Sequence, residues 1–338
     1  MKIAIHHQPG SFSDRWIEYC EHKNIDYIIV NAYDTNLVNQ IEDCEAFMWH
    51  HHHANLKDVL FAKQLLYSLE IAGKKCFPDF HTTWHFDDKI GQKYLLEAIG
   101  APTVPSYVFY TRKEALEWMS NASFPKVFKL RGGAGASNVK LVRSKKEAKK
   151  LVRIAFGRGF AQFDRIGYFK ERFNQWREGT GSFIGVLKGI GRVFIGTEYS
   201  NSHGKEKGYI YFQDFIPDNN TDYRVKVVNG NCWAFQRKVR KNDFRASGSG
   251  NLIFDNTQIP KELVSCAQEI AQRLKLQSVA FDFIHDKINN KFFIVELSYG
   301  FGFDEHEKYN GFWDHNGQFH SEPFNPFGWM VDGLLYEN

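Results

Sequence analysis

Two carboxylates in the last third of the chain have the spacing of a metal site. Asp282 lies in the apolar run Ala280-Phe281-Asp282-Phe283-Ile284, and Glu296 in Phe292-Phe293-Ile294-Val295-Glu296-Leu297. Turn-forming residues at Ile288-Asn289-Asn290 make the two runs a hairpin. A three-residue turn centred on Asn289 sets the two acids directly opposite each other; a two-residue turn offsets them by one. Facing carboxylates on an apolar sheet repel unless a cation lies between them, and two oxygen donors suit Mg²⁺, with waters and phosphates completing its shell. A pair of solvent-facing acids is the competing account.

A second group surrounds Phe124-Pro-Lys-Val-Phe-Lys129-Leu-Arg-Gly132-Gly133-Ala-Gly135-Ala-Ser137. Here a strand with a lysine near its end runs into a turn of small residues. Glycines let backbone N–H groups approach phosphate oxygens, and the lysine adds a point charge. The Lys-Ser/Thr ending of a Walker loop is missing. Basic residues recur in Asp222-Tyr-Arg224, in Gln236-Arg237-Lys238 and in Asn242-Asp243-Phe244-Arg245-Ala246-Ser247-Gly-Ser-Gly250, as an acidic substrate or phosphate requires. Solvated surface charge explains Lys238 equally well, whereas Arg245 is set in a loop between Phe244 and a Gly-Ser turn.

The elements that must position these residues are legible in outline. Lys2 to His6, Tyr27 to Asn31, Ala46 to Trp49 and Lys74 to Phe77 read as strands with helices between them. In the third gap Leu56, Val59, Leu60, Leu66 and Leu69 repeat at helical spacing until Gly73. Strand and helix alternation predicts a small parallel sheet, open to ligands at the carboxyl ends of its strands. A helix follows Asp87-Asp88 and ends at Gly100-Ala-Pro102. Next comes an α+β unit whose helices open on the capping boxes Thr111-x-x-Glu114 and Ser144-x-x-Glu147. Residues 157–208 show no clear period. Strand character returns at Tyr209 to Ile216, followed by a hairpin turning at Asn229-Gly230 and a helix from Pro260 to about Leu276. The last forty residues read as a loop-rich cap.

Composition narrows the class. With 338 residues, 43% hydrophobic and 24% charged, the chain is neither disordered nor fibrous, and at roughly 150 residues per domain it holds two or three units. Five scattered cysteines, none spaced Cys-x-x-Cys, argue against a disulfide framework or structural zinc and for a reducing, cytoplasmic setting. No run approaches the ~18 apolar residues of a membrane span. Lys140 to Arg172 holds eleven basic and three acidic residues. A net charge of +4 and the lack of a nucleic-acid module nevertheless disfavour a nucleic-acid partner.

Taken in order, these motifs resemble the ATP-grasp enzymes, and among them the RimK-like carboxylate-amine ligases. The likeness covers Asp87 to Ser298: Asp88-Lys89 at the helix start, Lys129 and its glycine turn, Gln213-Asp214-Phe215-Ile216, Asp222-x-Arg224, Asn242-Asp-Phe-Arg245, Asp282 and Glu296-x-Ser298. It implies an ATP-grasp fold of mixed α/β and α+β character behind an N-terminal Rossmann-like domain. The expected divisions are 1–88, 89–208 with a basic and aromatic insert from about 157, and 209–338. The resemblance also implies ATP and Mg²⁺, with Mn²⁺ as an alternative. Lys89 and Lys129 would hold phosphates, and Gly132, Gly133, Gly135 and Ser137 would close over them. Gln213 to Ile216 would meet adenine, with Asp222 also on the nucleotide. Asp282, Glu296 and Ser298 would bind metal, Ser298 standing where the family usually has asparagine. Arg224, Arg245 and Ser247 would act on the reacting groups.

The implied reaction joins a carboxylate to an amine, with small-molecule or glycan substrates and a homodimer allowed. The Asp-Phe-Arg-Ala-Ser-Gly variant is similar to members associated with bacterial surface polysaccharide. A kinase acting on a hydroxyl and a non-catalytic ATP-binding module are the alternatives. His50-His51-His52-His53 follows the third strand, where substrate could be met, but is read as a surface loop that binds metal adventitiously. His81 and His85 have helical spacing, yet Thr82 stands where a zinc protease needs glutamate.

Overall fold

The computed structural model describes residues 1–133, 138–161, 176, 204–239, 243–246, 251–302 and 309–336. The chain divides into two compact units, Met1–Phe86 with Asn219–Asn338 and Asp87–Asp218.

The first unit begins with the expected parallel sheet. Strands Ile3–His6, Tyr27–Val30, Ala46–Met48 and Lys75–Phe77 lie in the order second, first, third, fourth. Ile3 and Ile5 join one core with Trp16, Met48 and Phe77, while Ala4 joins another with Phe47, Trp49, Leu66 and Leu69. Both faces are covered, which explains the unbroken apolar runs. The Leu56–Ile71 helix turns Leu66 and Leu69 inward, but Val59 and Leu60, 41% and 72% exposed, do not face the core as the spacing predicts.

The same unit holds a seven-stranded sheet. Its four long strands run, from one edge inward, in the order Lys291–Ser298, Ser278–Asp286, Thr221–Val228, Asn231–Lys238, each antiparallel to its neighbour. The helix Lys261–Arg273 packs on it. The end of the chain is not merely loops. Asn325 caps a helix, Pro326–Leu335, that lies against the Phe12–Lys23 helix, with Tyr19 Oη donating to Asp332 at 2.8 Å. Two internal glycines and apolar residues on every side hid its period in the sequence.

The second unit is a four-stranded antiparallel sheet ordered Ser106–Phe109, Ile210–Asp214, Lys126–Lys129, Lys140–Val142. Helices Arg112–Asn121 and Lys145–Ala155 cover one face around Met119, Phe128, Val152 and Phe212. Both N-caps form, Thr111 Oγ1 accepting from Glu114 N at 3.2 Å and Ser144 Oγ from Glu147 N at 3.3 Å, while the glutamate carboxylates accept from Thr111 Oγ1 at 2.7 Å and from Arg143 N at 2.8 Å. Phe160–Ala161 pairs with Lys205–Glu206, so the two ends of the unassigned stretch meet.

Candidate functional site

In the first unit, Asp282 and Glu296 are cross-strand partners. The route to this register differs from the expected one. Asp286 pairs with Lys291, which leaves a four-residue turn that by itself would set Asp282 opposite Val295. A register shift beside Asp282 leaves Val295 as an extra residue and brings Glu296 into place. Ser298, paired with Ala280, lies two residues further along and so on the same face.

Arg224 pairs with Asp282 on the other side. Its Nε donates to Oδ1 at 2.7 Å and its Nη2 to Oδ2 at 2.9 Å. Arg237 Nη2 adds a contact to Asp282 Oδ2 at 2.9 Å. Arg237 also clamps Asp222, through Nε at 2.8 Å and Nη2 at 2.6 Å. The result is a band of charge across four strands, two guanidinium groups against two aspartates, with Glu296 at its end. Burial alone would push the Asp282 carboxyl up, but Arg224 and Arg237 outweigh it and hold the group well below the usual carboxylate range. Asp222 moves the other way, raised by burial despite Arg237.

The cations that relieve Asp282 in this structure are arginines, and Asp222 is committed to Arg237. The donor set still fits a magnesium ion. A carboxylate offers about four acceptor positions; the arginines use three on Asp282, and Glu296 stands opposite. Arg237 was seen in the sequence only as one basic residue among several. The hairpin count could have singled it out, because a two-residue turn at Asn229-Gly230 sets 237 opposite 222.

In the second unit, Asp88 caps the helix Lys89–Ala98 and also accepts from Arg131 Nη2 at 2.8 Å. Lys89 N donates to Arg131 O at 2.9 Å, and its buried Nζ to Gly133 O at 2.9 Å. Asp87 Oδ1 accepts from Gly133 N at 2.7 Å. Gly133 has φ +107, and a Cβ on Gly132 would come within 3.0 Å of Asp87 Oδ2, so both glycines are required for this close approach. Gly135 and Ser137 lie outside the described residues, as does Ser247. Lys129, also buried, ends its strand two residues before Arg131. The helix start and the glycine turn are therefore tied together, with a lysine on each, which is an arrangement suited to phosphate oxygens.

The strand pairing separates the Gln213 to Ile216 group. Gln213 is buried on the face that also bears Lys129, and its Nε2 donates to Ser106 Oγ at 3.1 Å. Asp214 faces the helices instead and pairs with Lys126, whose ammonium also sits 5.2 Å from the Tyr107 ring centre. Its carboxylate is a packing group, not a ligand of that face. Phe215 and Ile216 follow the end of the strand at Asp214.

Arg245 is held by Asp243 two residues earlier, Nε to Oδ2 at 2.9 Å and Nη2 to Oδ2 at 2.6 Å. Asp243 is raised by burial but lowered more by this arginine, and its pKa falls below the usual value.

The histidine run is only partly at the surface: His52 is exposed, whereas His50 and His51 are packed inward. His50 stacks on Phe12 with ring centres 3.7 Å apart, and its Nδ1 accepts from Phe12 N at 3.2 Å. His51 is buried, bonded to Thr83 Oγ1, and its carbonyl accepts from Tyr299 Oη at 2.5 Å. The carboxyl edge of the parallel sheet therefore packs against Tyr299, which directly follows Ser298. Among the described residues no group of three or more His, Cys, Asp or Glu is placed to hold a metal ion, and no helix is long and apolar enough to cross a membrane.

Residues 192–315 match the family described as the RimK-like ATP-grasp domain. A RimK-domain ATP-grasp protein from Sphaerobacter thermophilus has a similar structure, with TM-score 0.58 and 14% identity over 99% of this chain and 100% of that one. The biotin carboxylase domain dimer of 2-oxoglutarate carboxylase from Hydrogenobacter thermophilus, solved with MgADP and bicarbonate, gives 0.58 and 14% over 99% of this chain and 70% of that one. D-alanine–D-alanine ligase from Bacillus anthracis, solved with ATP, gives 0.52 and 11% over 88% and 86%. These likenesses are ones of fold, the ATP-grasp fold. Among curated proteins, a Nostoc biotin carboxylase is 34% identical over 88 residues, 25% of this chain and 20% of its own length. The match thus spans only a fifth of that relative.

Proposed function

Because the chain carries a RimK-like ATP-grasp domain on the ATP-grasp fold, we propose that it is an ATP-dependent, ADP-forming ligase that joins a carboxylate to an amine. The observation that carries this reading is the facing pair Asp282 and Glu296 beside Arg224, two carboxylates and a cation on one face of a sheet. Lys89 and Lys129 bind the triphosphate, and Gln213 with the backbone after it meets the base. Asp282 and Glu296 hold magnesium, with Ser298 as a weaker neutral donor. The bound metal neutralises phosphate charge during transfer.

A free carboxylate is too poor an electrophile for an amine. Its oxygen attacks the γ-phosphorus, ADP leaves, and the amine then displaces phosphate from the acyl phosphate. The protein's own task is positioning and charge neutralisation. Arg245 is assigned to the reacting carboxyl and the transferred phosphoryl group. Its present grip on Asp243 keeps the guanidinium in the loop and oriented, and a planar donor fork suits oxyanions. Ser247 is assigned beside it. We place the reaction in the modification of surface polysaccharide, a reading supported by the Asp243 to Gly250 loop variant alone.

Incubation with Mg-ATP and a panel of uronic acids and amino acids tests the proposal, with phosphate release and product mass as readouts. ADP with free phosphate and a condensed product is the expected result. ADP with a phosphorylated product and no free phosphate would make the protein a kinase; tight ATP binding without turnover across the panel would leave a binding module.

A further inference from the structure

The positive charge of the chain is concentrated in one place. Between Lys140 and Arg158 there are eight basic residues and one acid, which leaves 35 basic and 38 acidic residues for the rest of the chain. This stretch therefore carries +7, and everything else sums to −3.

The helix Lys145–Ala155 holds the centre of the stretch. It buries Ala148, Val152 and Ala155 in the core of the second unit. Lys146, Lys149, Lys150 and Arg153 recur at i, i+3, i+4 and i+7 on the other side, and all four are exposed. None of them forms an ion pair with a described residue. Glu147 gives no relief, because its carboxylate is committed to the helix start, where it accepts from Arg143 N at 2.8 Å.

Such a stripe works against the helix that bears it. Like charges three and four residues apart repel, and Lys145 and Lys146 stand at the end where the helix dipole disfavours cations. Other surface helices of this protein mix their signs, with Lys93 paired to Glu97 at 2.6 Å and Lys113 to Glu117 at 3.8 Å. Mixed signs serve solubility as well, so solubility does not explain a stripe of one sign. An anionic partner does.

The chemistry of the stripe selects among anions. Four of the five cations on the helix are lysines, which are point charges without the fork that reads a fixed phosphate pair. No aromatic residue lies on this helix to stack on a base. The apolar side is already used inside the unit, so the helix cannot insert into hydrocarbon. A flat array of unpaired lysines matches a sheet of mobile anionic headgroups, against which each cation near the surface contributes independently. We propose that the Lys145–Ala155 helix, extended by Arg143 and Arg158, is a docking face for an anionic bilayer surface. This goes beyond the ligase reading and does not depend on it.

Co-sedimentation of the full chain with vesicles tests the proposal, using about 30% phosphatidylglycerol in phosphatidylcholine against phosphatidylcholine alone, at about 0.1 M salt. Binding is expected to the anionic vesicles only, and to fall steeply at about 0.5 M salt. At roughly fivefold per cation, K146A/K149A/K150A/R153A should weaken the partition by about 10²-fold or more with an unfolding midpoint no lower than that of the unsubstituted chain. The single reversal Lys150→Glu, a smaller change, should weaken it by at least about tenfold. Equal binding to neutral vesicles, or binding unaffected by these substitutions, would overturn the proposal. So would duplex DNA or single-stranded RNA that displaces the vesicles at equal charge concentration and loses its own binding in the fourfold variant.

Discussion

Arg224 and Asp282 occupy paired positions on neighbouring strands, and one guanidinium grips both oxygens of the carboxylate, at 2.7 and 2.9 Å. Because Arg237 reaches the same carboxylate, Asp282 carries a structural load. Removing one partner of a buried ion pair destabilises by about 3–5 kcal/mol. Asp282→Asn should therefore lower the unfolding free energy by about 3 kcal/mol. Urea unfolding of the variant measures this directly; a loss well below about 1 kcal/mol would mean that the arginine cluster contributes little to stability.

Glu296 is a probe of the metal. Glu296→Gln removes a charge from the proposed magnesium pair while keeping the shape of the side chain. It should abolish phosphate release with the fold intact and remove the magnesium dependence of nucleotide affinity. Full activity with ordinary magnesium dependence would show the metal assignment to be wrong.

Arg245→Ala should reduce turnover by about 10²- to 10³-fold, in line with loss of one oxyanion donor, while ATP affinity changes little. Lysine at this position should restore only part of the rate, since it returns charge without the bidentate geometry. Asp243→Asn removes the clamp seen here and should lower turnover to a smaller extent. If the loss in Arg245→Ala lies entirely in ATP binding, this arginine is a nucleotide contact.

The buried histidines make stability depend on pH. Burial, with His52 and His53 nearby, pushes His50 down to about 3, and burial lowers His51 as well. Both rings take up a proton more readily in the unfolded chain, where the value is near 6.5. Their contribution is complete above that value and is lost as the pH falls toward the folded values. The loss is up to about 1.4 kcal/mol per pH unit for each ring. Urea midpoints at pH 7, 6 and 5 should fall in that order, and His50→Phe, which keeps the stack on Phe12, should flatten the slope. An unchanged slope in that variant would place the titration elsewhere.

What the sequence determined by itself was local. Both faces of the parallel strands are buried, so their runs are continuous and easily found, and the capping boxes were visible because a cap and its partner are three residues apart. The facing of Asp282 and Glu296 was reached because two departures cancel: the four-residue turn moves the pair by one residue and the extra Val295 moves it back. A count around Asn229-Gly230 sets Arg237 opposite Asp222. Only the tertiary structure decided that Thr221–Val228 lies between the strands of Asp282 and Arg237, and this placement turns two separate hairpins into one cluster of charge. It also decided that His51 is interior, because Tyr299, 248 residues away, closes over it. Strand order and burial depend on contacts between segments far apart in the chain. No local pattern encodes them, and the partner of a buried charge is known only once the sheet is assembled.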